Sequence, residues 1–163
     1  MSQVNSEDKA LYAVEGNREK GDQLIAQALE ILAQRFERND VLTRPLETAN
    51  YIKLKLADRE HEVFGLINLD NRNRVIADHE IFRGTIDGAS VYPREIVKQV
   101  LADNAAAVIL YHNHPSGVAE PSQADIRITE RLKSALALVD VRLLDHVIVG
   151  GADHICLSEK GLV

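Results

Sequence analysis

"AAVILYHNHPSGVAEPSQAD" occupies residues 106–125. Its first six residues form an unbroken apolar run, the pattern of a strand covered on both faces. Two histidines two apart follow, His112 and His114. Pro115, Gly117 and Pro121 then break the backbone before Ser122 and Asp125. A buried strand, a polar turn and a helix start in succession belong to a layered α/β domain. In such domains binding crevices form at the carboxyl ends of buried strands.

Working outward, the flanking segments agree with that architecture. Upstream, "EVFGLINLD" (62–70) and "VIADHEIF" (75–82) read as strands joined by the turn "NRN" (71–73), a hairpin. "RGTIDGAS" (83–90) is a loop or a brief strand. Pro93 opens a helix, "PREIVKQVLADNA", with Ile96, Val97 and Val100 inward. Nearer the start, Ile25, Leu29, Leu32 and Phe36 fall at i, i+4, i+7 and i+11, one face of an amphipathic helix. Thr43 can cap the next helix, with Pro45 in its first turn and Leu46, Ala49, Ile52 and Leu56 on its inner side. Downstream, a helix from about Ser122 to Leu138 carries Ile128, Leu132 and Leu136 on one side. "VRLLDHVIVG" and "HICLS" close the chain as two strands. The expectation is a mixed sheet flanked by helices. Residues 1–20, polar with charges of both signs, form a flexible arm, and residues 21–163 form one domain that includes the N-terminal helices.

Composition sets further bounds. A chain of 163 residues fits one domain, and 45% apolar residues suffice for a core. The net charge of −6 argues against a protein that grips nucleic acid through a coat of cations, although a local basic patch stays open. A single cysteine, Cys156, rules out a disulfide framework or a thiolate zinc cluster within one chain. The first twenty residues contain no apolar segment of the signal-peptide kind, and no apolar run approaches the ~20 residues that span a bilayer. These features lead us to expect a cytoplasmic protein with no membrane partner; homo-oligomerisation stays open.

In extended backbone, residues i and i+2 point to the same side, so the imidazoles of His112 and His114 can converge. If the "PSGVAEP" loop folds back, the carboxylate of Asp125, in the first turn of the next helix, can meet them. Two neutral imidazoles and one carboxylate suit a divalent ion, zinc above all. Three protein ligands leave a fourth position for water, the mark of a catalytic rather than a structural site. The competing reading is plainer. Ser122-x-x-Asp125 resembles a capping box, and His-x-His pairs are common in solvated loops. The two readings can coexist, with Ser122 either capping the helix or turning its hydroxyl into the pocket. Activated water needs a base, and Glu60, Glu62, Glu80 and Glu95 are upstream candidates. Glu62 is the best placed, at the start of an apolar strand. It reads equally well as a solvent-facing strand end.

Glu62, His112-Asn113-His114, Ser122 and Asp125 together resemble the JAMM (MPN+/JAB) metalloprotease motif, and "EVFGL" resembles the stretch around that family's catalytic acid. "FRGTIDGASVYPREIVKQVLADNAAAVILYHNHPSGVAEPSQADI" and "RLLDHVIVG" are closer still to the bacterial RadC-like branch. The resemblance covers about residues 35–160. It implies a JAB/MPN fold, similar to the cytidine-deaminase-like sandwich, holding one zinc ion. His112, His114 and Asp125 would be the ligands, Glu62 the general base and then the acid, and Ser122 an oxyanion stabiliser. The bond cut would be a peptide or isopeptide. The N-terminal helix-hairpin-helix module usual in RadC proteins is expected to be missing, which weakens any DNA-repair role.

Two other functions compete. A zinc-dependent base deaminase requires His/Cys/Cys ligands, which the single Cys156 excludes. A catalytically silent interaction module of DNA repair is compatible with the same residues. Of the remaining polar residues, His146 beside Asp145 reads as a satisfied core or edge histidine rather than a ligand. Cys156 reads as a small buried thiol, alternating with His154 on the last strand. His61 should face away from Glu62, while Ser90 and Ser116 are loop residues near the cleft or plain turn residues.

Overall fold

The computed structural model describes residues 6–37, 45–84 and 91–163. In chain order these form α1 (Ser6–Glu37), α2 (Pro45–Leu56), β1 (Val63–Leu69), β2 (Val75–Arg83), α3 (Pro93–Ala102), β3 (Ala107–Asn113), α4 (Gln123–Ala137), β4 (Arg142–Gly150) and β5 (Asp153–Cys156). The five strands make one sheet in the order β2-β1-β3-β4-β5. Only β3 and β4 run parallel, joined through α4; the other neighbours are antiparallel. The sheet is therefore mixed and α/β, as the segment pattern requires.

Strand periodicity sorts the core into two layers. Ala107, Ile109 and Tyr111 of β3 face one side with Val63, Ile67 and Val147, and α2 covers them with Ala49, Ile52 and Leu56. Val108 and Leu110 face the other side with Phe64 and Leu66, beneath Ile96 and Val100 of α3 and Leu132 and Leu136 of α4. Every residue of β1 and β3 is buried. Both strands lie between helical layers, so their sequences are continuous apolar runs instead of alternating ones.

Several local expectations change. Residues 6–20, read as an arm, continue α1. Apolar periodicity reports packing, and the Ala, Leu, Glu, Lys and Arg of this stretch favour helix without it. Leu46 of α2, expected inward, is 62% exposed. Thr43 and Ser90 lie outside the described residues. β3 runs on through His112 and Asn113 instead of ending at Tyr111, because both polar residues find partners inside the fold. No helix among the described residues is long and apolar enough to cross a membrane.

Candidate metal centre

His112 occupies the end of β3 on the face covered by α4 and is fully buried, its ring stacked on Phe64 with centroids 5.9 Å apart. His114 follows just past the strand, where its backbone N–H donates to the Val149 carbonyl at 2.7 Å. The chain then turns sharply: Gly117 adopts φ +82°, and its N–H donates to the His114 carbonyl at 3.0 Å. The returning loop presses on the end of β4 so closely that a Cβ on Gly150 would collide with the backbone of Val118 and Ala119. This fold-back delivers Asp125, fully buried in the first turn of α4, to the two histidines.

Nε2 of His112 lies 2.9 Å from Nε2 of His114 and 3.2 Å from Oδ1 of Asp125, while Nε2 of His114 lies 3.4 Å from Oδ2. Nδ1 of His114 sits 2.7 Å from the Val118 carbonyl, which can only accept, so Nδ1 carries the proton and Nε2 presents a lone pair. Oδ1 of Asp125 is buried with no hydrogen-bond partner. Imidazole nitrogens and a carboxylate oxygen facing one another call for a cation between them. The three groups offer ligand atoms within 4.8 Å of one another, a set that can hold a metal ion. Bonds of ~2.0–2.1 Å to a tetrahedral zinc would separate its ligands by roughly 3.3 Å, close to the spacing seen.

Electrostatics follow the same geometry. Burial pushes the His112 pKa below the ordinary imidazole value, with Asp125 opposing it. The contact with Asp125 raises His114 against its partial burial. Burial pushes Asp125 up, but His112, His114 and Ser122 outweigh it and hold the carboxyl well below the usual range. It is a carboxylate at any physiological pH.

Ser122 completes a capping box. Its hydroxyl accepts from the Asp125 N–H at 3.1 Å and donates to Oδ2 at 2.7 Å, and its own N–H donates to the same oxygen at 2.7 Å. Its one proton thus points at Asp125, and stabilising an oxyanion would require the hydroxyl to rotate. Glu62, just before β1, is close enough for its charge to raise both His112 and His114. The other candidate carboxylates are occupied or remote. Glu80 pairs with Arg59 and Arg83, Glu95 pairs with Lys98, and Glu60 is exposed. His61 and Ser116 are also exposed. An open cleft of about 730 Å³ adjoins His114, bordered by Asn50, Lys53, Leu54 and Arg59 on the α2 side.

The sequence matches the RadC-like JAB domain family over residues 42–162. The chain belongs to that family. A UPF0758 protein of Vibrio cholerae is 59% identical over 133 residues, covering 82% of this chain and 85% of that protein. UPF0758 proteins of Marinobacter nauticus and Nitrosococcus oceani are 55% and 59% identical over 136 and 132 residues, 83% and 81% of this chain. The aligned part spans only 61% and 59% of those two proteins.

Three residues of this RadC-like JAB domain enter the site's surroundings without having been singled out for it. Thr129 lies one turn after Asp125 on the buried side of α4. Asn113 bonds to the backbone on either side of Glu62. His146, read as a core histidine, is indeed buried, yet its ring touches His112 at 2.8 Å. The spacing of Asp125 and Thr129 at i, i+4 was a usable signal; the pairing of β3 with β4 was not visible in sequence.

Proposed function

We propose that this RadC-like JAB domain is a zinc-dependent hydrolase that cuts a peptide or isopeptide bond. The observation that carries the reading is the buried, partnerless Oδ1 of Asp125 facing the ring nitrogens of two histidines, with the Glu62 charge in reach. His112, His114 and Asp125 would hold the ion. When bound, zinc supplies Lewis acidity, polarising a carbonyl and bringing the pKa of water to about 7. Glu62 takes a proton from the attacking water on its carboxylate and returns it to the leaving nitrogen. Ser122 fixes Asp125 through the capping box and, on rotation of its hydroxyl, reaches the developing oxyanion. Phe64 walls off His112 from solvent, which strengthens every charge interaction inside. The cleft beside His114 falls within the roughly 300–1,000 Å³ of ordinary ligand sites and has room for a short stretch of extended peptide.

Metal analysis of the purified protein should return one zinc per chain; substoichiometric zinc that does not rise on reconstitution refutes the ligand assignment. A peptide library, read by mass spectrometry, should be cleaved by the wild type and left intact by Glu62→Gln. Equal cleavage by both proteins would overturn the role of Glu62.

A further inference from the structure

His112 and His146 lie on neighbouring parallel strands, on the same face, and their rings approach with Nδ1 of His112 2.8 Å from Nε2 of His146. The other ring nitrogen of His146, Nδ1, lies 2.6 Å from the hydroxyl of Thr129. That hydroxyl is 2.6 Å from the backbone carbonyl of Asp125, one turn earlier in α4. The direction of each bond follows from the end of this chain. A carbonyl only accepts, so Thr129 gives it the single hydroxyl proton. Thr129 must then accept from Nδ1–H of His146. Burial against Phe64, with centroids 5.4 Å apart, favours a neutral ring, which leaves a lone pair on Nε2 of His146. Nδ1 of His112 therefore carries a proton and donates it, and Nε2 of His112 is left with a lone pair.

We propose that Thr129 and His146 act as positioning residues for the metal centre, locking His112 as the Nδ1–H tautomer and aiming its Nε2 at the point shared with His114 and Asp125. The inference rests on His112 being a ligand. The relay closes on itself: the residue whose carboxylate enters the centre also supplies, through its carbonyl, the acceptor that orients the relay. It also accounts for a polar triad inside an otherwise apolar layer, since each member is satisfied only by the next. His146 cannot serve as a fourth ligand without breaking it, because both of its ring nitrogens are taken.

The test uses the full chain stripped of metal and titrated with zinc against a chromogenic chelator. Side chains that hydrogen-bond and orient a metal ligand contribute roughly 10–100-fold to metal affinity. His146→Phe and Thr129→Val should each weaken zinc binding within that range, while Thr129→Ser, which keeps the hydroxyl, stays near wild type. Adding Thr129→Val to His146→Phe should cost little more, because the relay is already cut. Folding is checked by circular dichroism; if His146→Phe does not fold, Thr129→Val against Thr129→Ser carries the comparison. Long-range nitrogen–proton NMR of the metal-free protein should find protons on Nδ1 of both His112 and His146. Folded variants that bind zinc as wild type does, or a proton on Nε2 of His112, overturn the relay. Failure of the wild type to bind zinc would overturn the reading of the centre itself, and the NMR tautomers would then decide the relay alone.

Discussion

Asn113 stands between His112 and His114 in sequence, and its side chain does different work. The backbone pairing of β1 with β3 stops at Phe64 and His112. Beyond it the Asn113 amide takes over, accepting from the Val63 N–H at 2.8 Å and donating to the His61 carbonyl at 3.1 Å. Both partners flank Glu62, so the amide fixes the backbone from which that carboxylate projects. Asn113→Ala leaves the buried Val63 N–H unpaired and should cost about 1–3 kcal/mol in denaturant melts. It should also reduce peptide cleavage more than it reduces zinc content, since no ligand is touched. Ser122→Ala removes the cap of α4 and one hydrogen bond to Asp125; a loss of about 1 kcal/mol is expected from the cap alone. Cys156 is buried, and burial with Asp145 nearby pushes its thiol up to about 12. It should react with a thiol reagent only after unfolding, and rapid labelling of the native protein would refute its burial.

At the level of elements, the β3–α4–β4 unit builds the centre. β3 supplies His112 and leads directly to His114, α4 supplies Asp125 and Thr129, and β4 supplies His146. The loop between β3 and α4 must lie flat on the end of β4, which only glycine at position 150 allows. Gly150→Ala should push that loop outward with the Val118 carbonyl that orients His114. The expected result is weaker zinc binding together with a lower melting temperature. A second close approach fixes the sheet: Gly65 of β1 lies under the ring of Tyr111, its partner on β3. Leu132, fully buried between α4 and the sheet, holds the helix that carries Asp125. Leu132→Ala should cost about 2–5 kcal/mol by opening a cavity, measurable by urea unfolding.

Across the whole molecule, metal and proton should compete. Zinc that binds only the native state adds about 2.7 kcal/mol at a hundredfold excess over its Kd, so a chelator should lower the melting temperature by several degrees. In metal-free protein, burial lowers the pKa of His112 and, more strongly, of His146. Below about pH 6.5 the unfolded chain takes up protons that these two buried rings refuse, so stability falls with pH down to their folded values. His114 is raised and acts oppositely: its contribution is present below about pH 6.5 and lost as pH rises through its folded value. With two groups against one, thermal melts in chelator should shift downward between about pH 7 and about pH 5. The contribution of Asp125, whose pKa is lowered, is present above about pH 3.9 and is lost as pH falls towards its folded value.

The amino-acid sequence by itself determined the element types from β1 to β5, since runs such as Val63–Leu69 and Ala107–Tyr111 can only be satisfied between two covering layers. Residue type and local spacing also brought His112, His114, Ser122 and Asp125 together as one group, whereas Glu62, far upstream, joined it only through the resemblance to the JAMM motif. The first turns of α1, residues 6–20, escaped notice, because apolar periodicity is a record of packing and those turns carry none. Only the tertiary structure decided where the proton of Ser122 points, which carboxylates are tied up by arginine and lysine, and that Asn113 grips the backbone around Glu62. It alone placed Thr129 and His146 behind His112. Those contacts join residues 17 to 52 positions apart through strand register and helix packing. Hydrogen-bond direction at such contacts depends on distances of a few ångströms that no local pattern encodes.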